Sequence, residues 1–305
     1  MIHSSSTKAS LSKVPSTKAV PSKTPLVKLT AIQLSSAANV ETNLAKIAES
    51  LAKITDTTEA TQHFVVLPEC CLYFGGQDRE QLSLAKNSVR GNDLCLALGK
   101  LAKAFKVYLI AGTVPILTNA GEKFTNSSCF FNPQGELIGQ YDKIHLFDVT
   151  VSDSTNRYCE SRYTQAGKAI TVVNTDFANV GLSVCFDIRF PQLFQQLAKA
   201  GADIITVPSA FTKVTGQAHW QTLLQARAIE NQVYIIAAGQ EGVHENGRET
   251  WGHSMIINPW GVIEKIIETG EGYISVDYQP EEIMRIRQSM PLISPLDSPL
   301  NMPLN

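Results

Sequence analysis

Apolar and polar residues alternate from Val27 to Leu34, the period of a half-buried strand. The period then changes. Leu44, Ile47, Leu51 and Ile54 recur at helical spacing and predict a helix over Asn43–Ile54. A short apolar run, His63–Leu67, reads as a buried strand ending at Pro68-Glu69. Leu94–Phe105 returns to helical spacing, and Val107–Ala111 predicts the next strand. Ser127–Phe131 and Leu137–Tyr141 flank Asn132-Pro133-Gln134-Gly135, which predicts a β-hairpin. Further on, Val180–Val184 climbs to Cys185, and a charged turn and Pro191 follow at once. Proline is tolerated in the first turn of a helix, where its missing N–H would have no partner. This stretch therefore predicts a buried strand, a tight turn carrying Cys185, and a helix over Gln192–Ala200. A second helix is predicted over Ala218–Glu230.

The second half repeats the first. Phe64-Val65-Val66-Leu67-Pro68-Glu69 is echoed by Ile204-Ile205-Thr206-Val207-Pro208-Ser209. Val107-Tyr108-Leu109-Ile110-Ala111 is echoed by Val233-Tyr234-Ile235-Ile236-Ala237, and Phe131-Asn132-Pro133-Gln134-Gly135 by Ile257-Asn258-Pro259-Trp260-Gly261. The matches keep one order, which predicts two similar α/β halves, the second opening with the Cys185 strand. Each half offers helices for only one face of its sheet, yet the strands are apolar on both faces. Stacking the sheets face to face gives a four-layer α-β-β-α sandwich in a single domain. A dinucleotide-binding fold is the competitor, but no GxGxxG follows any strand.

Composition changes this picture only at the edges. With 305 residues, 44% hydrophobic and 18% charged, the chain is long enough for one large domain, and a formal net charge of -2 argues for neither nucleic acid nor an anionic membrane as partner. No apolar run approaches the ~20 residues a bilayer requires. The six cysteines (Cys70, Cys71, Cys95, Cys129, Cys159, Cys185) form no CxxC pair and no grouping with histidine. Free thiols in a reducing cytoplasm, with no metal, are the expectation. Residues 1–25 are rich in Ser, Thr, Pro and Lys, and the first acidic residue is Glu41. This predicts a disordered leader ahead of a catalytic domain at 26–280 and a Pro-rich extension at 281–305. Such a start also resembles an organelle transit peptide, against which stand the lack of arginine and Pro15, Pro21 and Pro25.

Three residues at strand ends could do chemistry. Cys185 is either a nucleophile or a small buried hydrophobe. As a nucleophile it would face backbone N–H groups and the positive end of the following helix, both of which favour the thiolate. Glu69 is either a surface acid at a helix start or a general base whose desolvation pushes its pKa upward. Lys143, in Tyr141-Asp142-Lys143-Ile144-His145-Leu146-Phe147, sits among apolar neighbours. It either reaches out to water or stabilises a thiolate and an oxyanion. None of His3, His63, His145, His219, His244 and His253 has a spacing that singles it out as partner of Cys185. A Cys–His arrangement and a Glu–Lys pair both remain open on residue types alone.

Leu67-Pro68-Glu69, Asp142–Phe147 and Cys185–Pro191, in this order, resemble the nitrilase, or carbon–nitrogen hydrolase, superfamily, and the resemblance runs from Leu26 to about Tyr278. It implies the four-layer sandwich and a Glu69–Lys143–Cys185 triad, with Lys143 and the backbone N–H of Phe186 holding an oxyanion. A further catalytic carboxylate is implied at Glu160, with Asp148 and Asp153 as competitors. Pro208–Thr212, Thr215-Gly216, Ala218–Trp220, Ala226–Asn231 and Trp251–Met255 are similar to the branch containing deaminated-glutathione amidases and omega-amidases, the former more closely. The implied function is amide hydrolysis through a thioester on Cys185, without organic cofactor or metal, by a homodimer or larger homo-oligomer. The substrate would be a small amide. Deaminated glutathione would yield 2-oxoglutarate and cysteinylglycine; the alternatives are a 2-oxo dicarboxylate monoamide such as 2-oxoglutaramate, or a catalytically silent binding protein. Arg227 and Glu230, one helical turn apart, are expected to form a structural ion pair. Arg189 either binds a substrate carboxylate or pairs with Asp187, and the Thr212–His219 loop, Thr215 included, offers further contacts.

Overall fold

The computed structural model describes residues 26–56, 61–153 and 155–292. The first half runs β1 (Leu26–Gln33), α1 (Val40–Thr55), β2 (Thr61–Val66), α2 (Asp78–Asn87), α3 (Asn92–Phe105), β3 (Tyr108–Leu117), β4 (Phe124–Phe131) and β5 (Leu137–Asp142). A small hairpin, β6 (Asp148–Thr150) and β7 (Arg157–Cys159), leads to the second half. There follow β8 (Val172–Asn174), β9 (Asn179–Leu182), α4 (Pro191–Lys199), β10 (Ile204–Thr206), α5 (Lys213–Asn231), β11 (Tyr234–Ala237), a hairpin β12 (Glu241–Val243) and β13 (Glu249–Trp251), β14 (Ser254–Ile257), β15 (Ile263–Ile267), β16 (Gly272–Asp277) and α6 (Pro280–Ser289).

Two six-stranded sheets result, ordered β16-β1-β2-β3-β4-β5 and β15-β14-β11-β10-β9-β8. In the first, β1, β2 and β3 are parallel and β4 and β5 antiparallel. In the second, β9, β10, β11, β14 and β15 repeat that pattern strand for strand. The echoed segments occupy equivalent places, as the repeat predicts. The halves are also laced together: β16 returns from the second half to pair antiparallel with β1, and Lys28 meets Asp277 at 2.8 Å.

Alternation assigns each strand residue to a layer. In and beyond β2, Val65 and Leu67 face Ile47 and Leu51 of α1 and Leu94 and Leu98 of α3. Phe64 and Val66 face inward and share a core with Val180, Leu182, Ile204 and Ile236 of the opposite sheet. Leu193 and Leu197 of α4 and Trp220 and Leu224 of α5 cover the far side, completing the α-β-β-α sandwich.

Helix α2 escapes a periodicity search because it is mostly polar. Its start is held locally: Glu80 Oε2 accepts from the Gln77 N–H at 2.6 Å and from the Tyr73 hydroxyl at 2.8 Å. Strand β3 runs beyond Ala111 because a bulge after that residue restores pairing with β4. The stretch expected to be a Pro-rich extension opens instead with α6. Ile283 and Ile286 are buried against the second half, and Arg287 donates to Asp203 at 3.1 Å. The leader at 1–25 and residues 293–305 lie outside the described residues. Among the described residues no helix is long and apolar enough to cross a membrane.

Candidate active site

Cys185 opens a 3₁₀ turn, Cys185–Arg189, with φ of 46°. A side-chain-bearing residue in the left-handed region carries strain that its surroundings must hold. They do so here. The Cys185 N–H donates to Pro208 O at 2.9 Å, tying the turn to the end of β10. Asp187, fully buried, accepts from the Val184 N–H at 2.9 Å, the Tyr141 hydroxyl at 2.8 Å and the His145 N–H at 3.1 Å, with His145 Nδ1 at 2.7 Å. Arg227, paired with Glu230 at 2.8 Å, donates from Nε to Ile188 O at 2.9 Å. Asp187→Ala would strand these donors in the interior. The expected cost is on the order of 3 kcal/mol, read as a lower melting temperature together with a loss of activity as the turn relaxes.

Glu69 follows β2, Lys143 follows β5, and Glu160 opens a short 3₁₀ turn after β7. The fold brings them together. Lys143 Nζ donates to Glu69 Oε1 at 2.8 Å and to Glu160 Oε2 at 2.9 Å, with only 2% of the lysine side chain exposed. Glu69 Oε1 also accepts from Asn126 Nδ2 at 2.9 Å, and Oε2 from the Ala210 N–H at 2.9 Å. Glu160 accepts from the Phe147 N–H at 2.7 Å and from Asn126 at 3.2 Å. The lysine does not reach water. Burial alone would push its ammonium down, but the two carboxylates outweigh it and hold the pKa well above the usual range. Burial raises the Glu160 carboxyl, against the pull of Lys143.

Cys185 departs from expectation in one respect. Helix α4 starts only at Pro191, beyond the 3₁₀ turn, so its positive end does not sit at the sulfur. Burial pushes the thiol well above its ordinary value and Glu69 pushes it the same way. Lys143 and the Ala210 N–H oppose them without prevailing. A thiol pushed upward in this way needs a base to act as a nucleophile.

The remaining candidates resolve as follows. Asp148 accepts from the Ser161 N–H at 2.9 Å and Asp153 from the Tyr158 hydroxyl at 2.8 Å, so neither takes the place of Glu160 beside Lys143. Arg189 does not pair with Asp187, whose oxygens are already occupied. Its Nη1 lies 3.2 Å from His219 Nδ1, and the guanidinium sits between the rings of Phe186 and Phe211. Among the described residues no histidine lines the cavity around Cys185. His145 instead stacks on Phe190 and is held by Asp187, so no described histidine supports the Cys–His alternative. The Phe186 N–H lies between the engaged N–H groups of Cys185 and Asp187 and makes no comparable bond among the described residues. Asn126 had no assigned role from sequence, and Asp187 was considered only as a partner of Arg189. The only signal was polarity in a buried place, the Asn126-Ser127-Ser128 run of β4.

Glu69, Lys143, Glu160 and Cys185 line one cleft, together with Tyr73, Phe124, Phe147, Tyr158, Phe211, Thr215 and Arg248. Among the described residues no group of three or more His, Cys, Asp and Glu side chains is placed to hold a metal ion.

The sequence profile of the family described as carbon-nitrogen hydrolase matches residues 28–288. A Yersinia enterocolitica protein named deaminated glutathione amidase is 39% identical over 265 residues, covering 86% of this chain and 90% of its own. A Saccharomyces cerevisiae protein named omega-amidase is 34% identical over 269 residues, covering 87% and 91%. The crystal structure of Saccharomyces cerevisiae Nit3, of the nitrilase superfamily, superposes with a TM-score of 0.77 at 30% identity, over 88% of this chain and 96% of that one.

Proposed function

The chain belongs to the carbon–nitrogen hydrolase family of the nitrilase superfamily, and from that premise we propose that it hydrolyses the amide bond of deaminated glutathione through a thioester on Cys185. Glu69 takes the thiol proton as sulfur attacks the amide carbon, and the carbonyl oxygen becomes an oxyanion. Lys143 has two of its three protons committed to Glu69 and Glu160, and the third is available to that oxygen together with the Phe186 N–H. Glu69 then returns its proton to the amine nitrogen, the C–N bond breaks and cysteinylglycine leaves. Water attacks the thioester with Glu69 again as base, 2-oxoglutarate departs, and the thiol is restored. Glu160 fixes Lys143 and helps to position the incoming water.

The observation that favours the peptide over a small monoamide is the set of relatives named deaminated glutathione amidase at 39% and 40% identity, against 34% for the one named omega-amidase. Binding energy from the remote dipeptide would then act at the reacting centre. Deaminated glutathione is expected to be hydrolysed with a kcat/KM about tenfold or more above that of 2-oxoglutaramate, a difference of about 1.4 kcal/mol in transition-state binding. Steady-state assays of both amides decide this. Equal or better use of 2-oxoglutaramate would make the enzyme an omega-amidase, the reading that the yeast relative favours.

The same proposal includes pairing into a homodimer or larger assembly. Ile229 of α5, Trp260 and Val262 are each about half exposed, and Gly261 packs beside Ile229, so apolar surface lies together on this side. Light scattering at micromolar concentration is expected to give at least the dimer mass, and a monomer mass alone would contradict it.

A further inference from the structure

We propose that Asn126 is a positioning residue: its side-chain amide clamps Glu69 and Glu160 together and leaves Glu69 Oε2 as the oxygen that takes the Cys185 proton. The proposal rests on the functional reading above, in which Glu69 is the base, and deepens it to the atom.

Asparagine is a poor strand former, yet Asn126 sits within β4 and is only 6% exposed. Alternation along the strand separates it from its neighbours. Phe124 and Asn126, two residues apart, both line the cleft, whereas Thr125 bonds Ser127 at 2.8 Å and Ser127 bonds Asp142 at 2.6 Å on the other face. The Asn126 carbonyl accepts from the Lys143 N–H at 3.0 Å, which fixes the backbone from which that lysine reaches. Its Nδ2 donates to Glu69 Oε1 at 2.9 Å and to Glu160 Oε1 at 3.2 Å. Lys143 Nζ spans the same two carboxylates, at 2.8 and 2.9 Å. The four side chains thus close a ring in which two donors alternate with two acceptors. One donor carries charge and the other does not.

The ring decides which oxygen of Glu69 is left for chemistry. Oε1 accepts from both Lys143 and Asn126, which occupies both of its lone pairs. Oε2 accepts one bond, from the Ala210 N–H at 2.9 Å, so among the described residues it keeps a lone pair. The thiol proton therefore passes from Sγ to Oε2 as sulfur attacks the amide carbon, and Oε2 returns it to the departing nitrogen. Rotation about the terminal bond of a glutamate is soft. Without Asn126 one bond would remain on each oxygen, the two would become equivalent acceptors, and the base would no longer be defined. Glu160 Oε1 would lose the one bond it accepts among the described residues. Misplacing a reacting group by about 1 Å costs on the order of 100-fold in rate.

The test measures kcat, KM and thermal melts of the wild type, Asn126→Leu and Asn126→Asp, on whichever of deaminated glutathione and 2-oxoglutaramate the wild type hydrolyses faster. Asn126→Leu keeps the shape and removes both donors. Its kcat is expected to fall about 10- to 100-fold, with KM changing far less. In Asn126→Asp the protonated carboxyl supplies one donor, and ionisation turns it into a third negative charge. The kcat ratio of Asn126→Asp to wild type is therefore expected to be highest at low pH and to fall as pH rises. Glu69, Lys143 and Glu160 around this place, and the thiols of Cys70, Cys159 and Cys185 in the same cleft, are common to both proteins, so the ratio reads the introduced carboxyl. An Asn126→Leu protein with kcat within a few-fold of the wild type, or one that loses activity through KM alone, would overturn the proposal. So would a ratio flat with pH, which decides the matter even if Asn126→Leu does not fold. A wild type that hydrolyses neither amide would fail the functional reading itself and the proposal with it, whereas a fully active Asn126→Leu would fail the proposal alone.

Discussion

Cys185→Ala is expected to reduce amide hydrolysis to background while the protein stays folded. The side chain is 6% exposed and loses only its sulfur, so the cavity left is small and the stability change is expected to stay within about 1 kcal/mol. Alanine inherits the same left-handed backbone, held by the same Pro208 and Asp187 contacts. The chemical loss is expected to be total by comparison, because in the proposed mechanism the thioester forms on this sulfur. Cys70 also lines the cleft, but burial pushes its thiol far above the ordinary range, and its N–H is tied to Thr113 at 2.7 Å. Steady-state turnover and a thermal melt check both halves. Substantial turnover in a folded Cys185→Ala variant would remove Cys185 as the nucleophile.

Lys143→Met is expected to lower kcat by about 100- to 1000-fold, the typical value of one donor aimed at a developing oxyanion. KM is expected to change far less, because the charge it meets arises in the transition state. The replacement also leaves Glu69 and Glu160 facing each other without the ammonium between them. Removing one partner from a buried ion cluster costs about 3–5 kcal/mol, so the melting temperature is expected to fall as well. The split between kcat and KM separates the two effects. A loss of only a few-fold in kcat, with the protein folded, would leave Lys143 a structural cation.

Much of this site was legible because three of its residues abut strands of their own. Glu69, Lys143 and Cys185 each stand beside a polarity change that marks a strand end, and the internal echo placed two of those strands in equivalent halves. Glu160 was found by a motif after a short loop rather than by periodicity. Other features depend on contacts distant in sequence. Asn126 bridges Glu69 and Glu160, and Asp187 binds Tyr141 and His145, so their roles come from neighbouring strands meeting. Arg189 was read as a possible partner of Asp187 because the two are close in sequence, whereas the carboxylate was already taken. The electrostatics of Cys185 depend in the same way on distant contacts: the start of α4 lies beyond the turn, and burial and Glu69 push the thiol up against Lys143 and the Ala210 N–H.

The most direct test is to quench the enzyme in acid while it turns over deaminated glutathione and to map the acyl group by peptide mass. A parallel reaction containing hydroxylamine intercepts any thioester as a hydroxamate. A 2-oxoglutaryl group on the peptide carrying Cys185, with hydroxamate formed only by enzyme that retains Cys185, is the expected result. An acyl group on Cys70, or hydroxamate formed equally well by Cys185→Ala, would contradict the account.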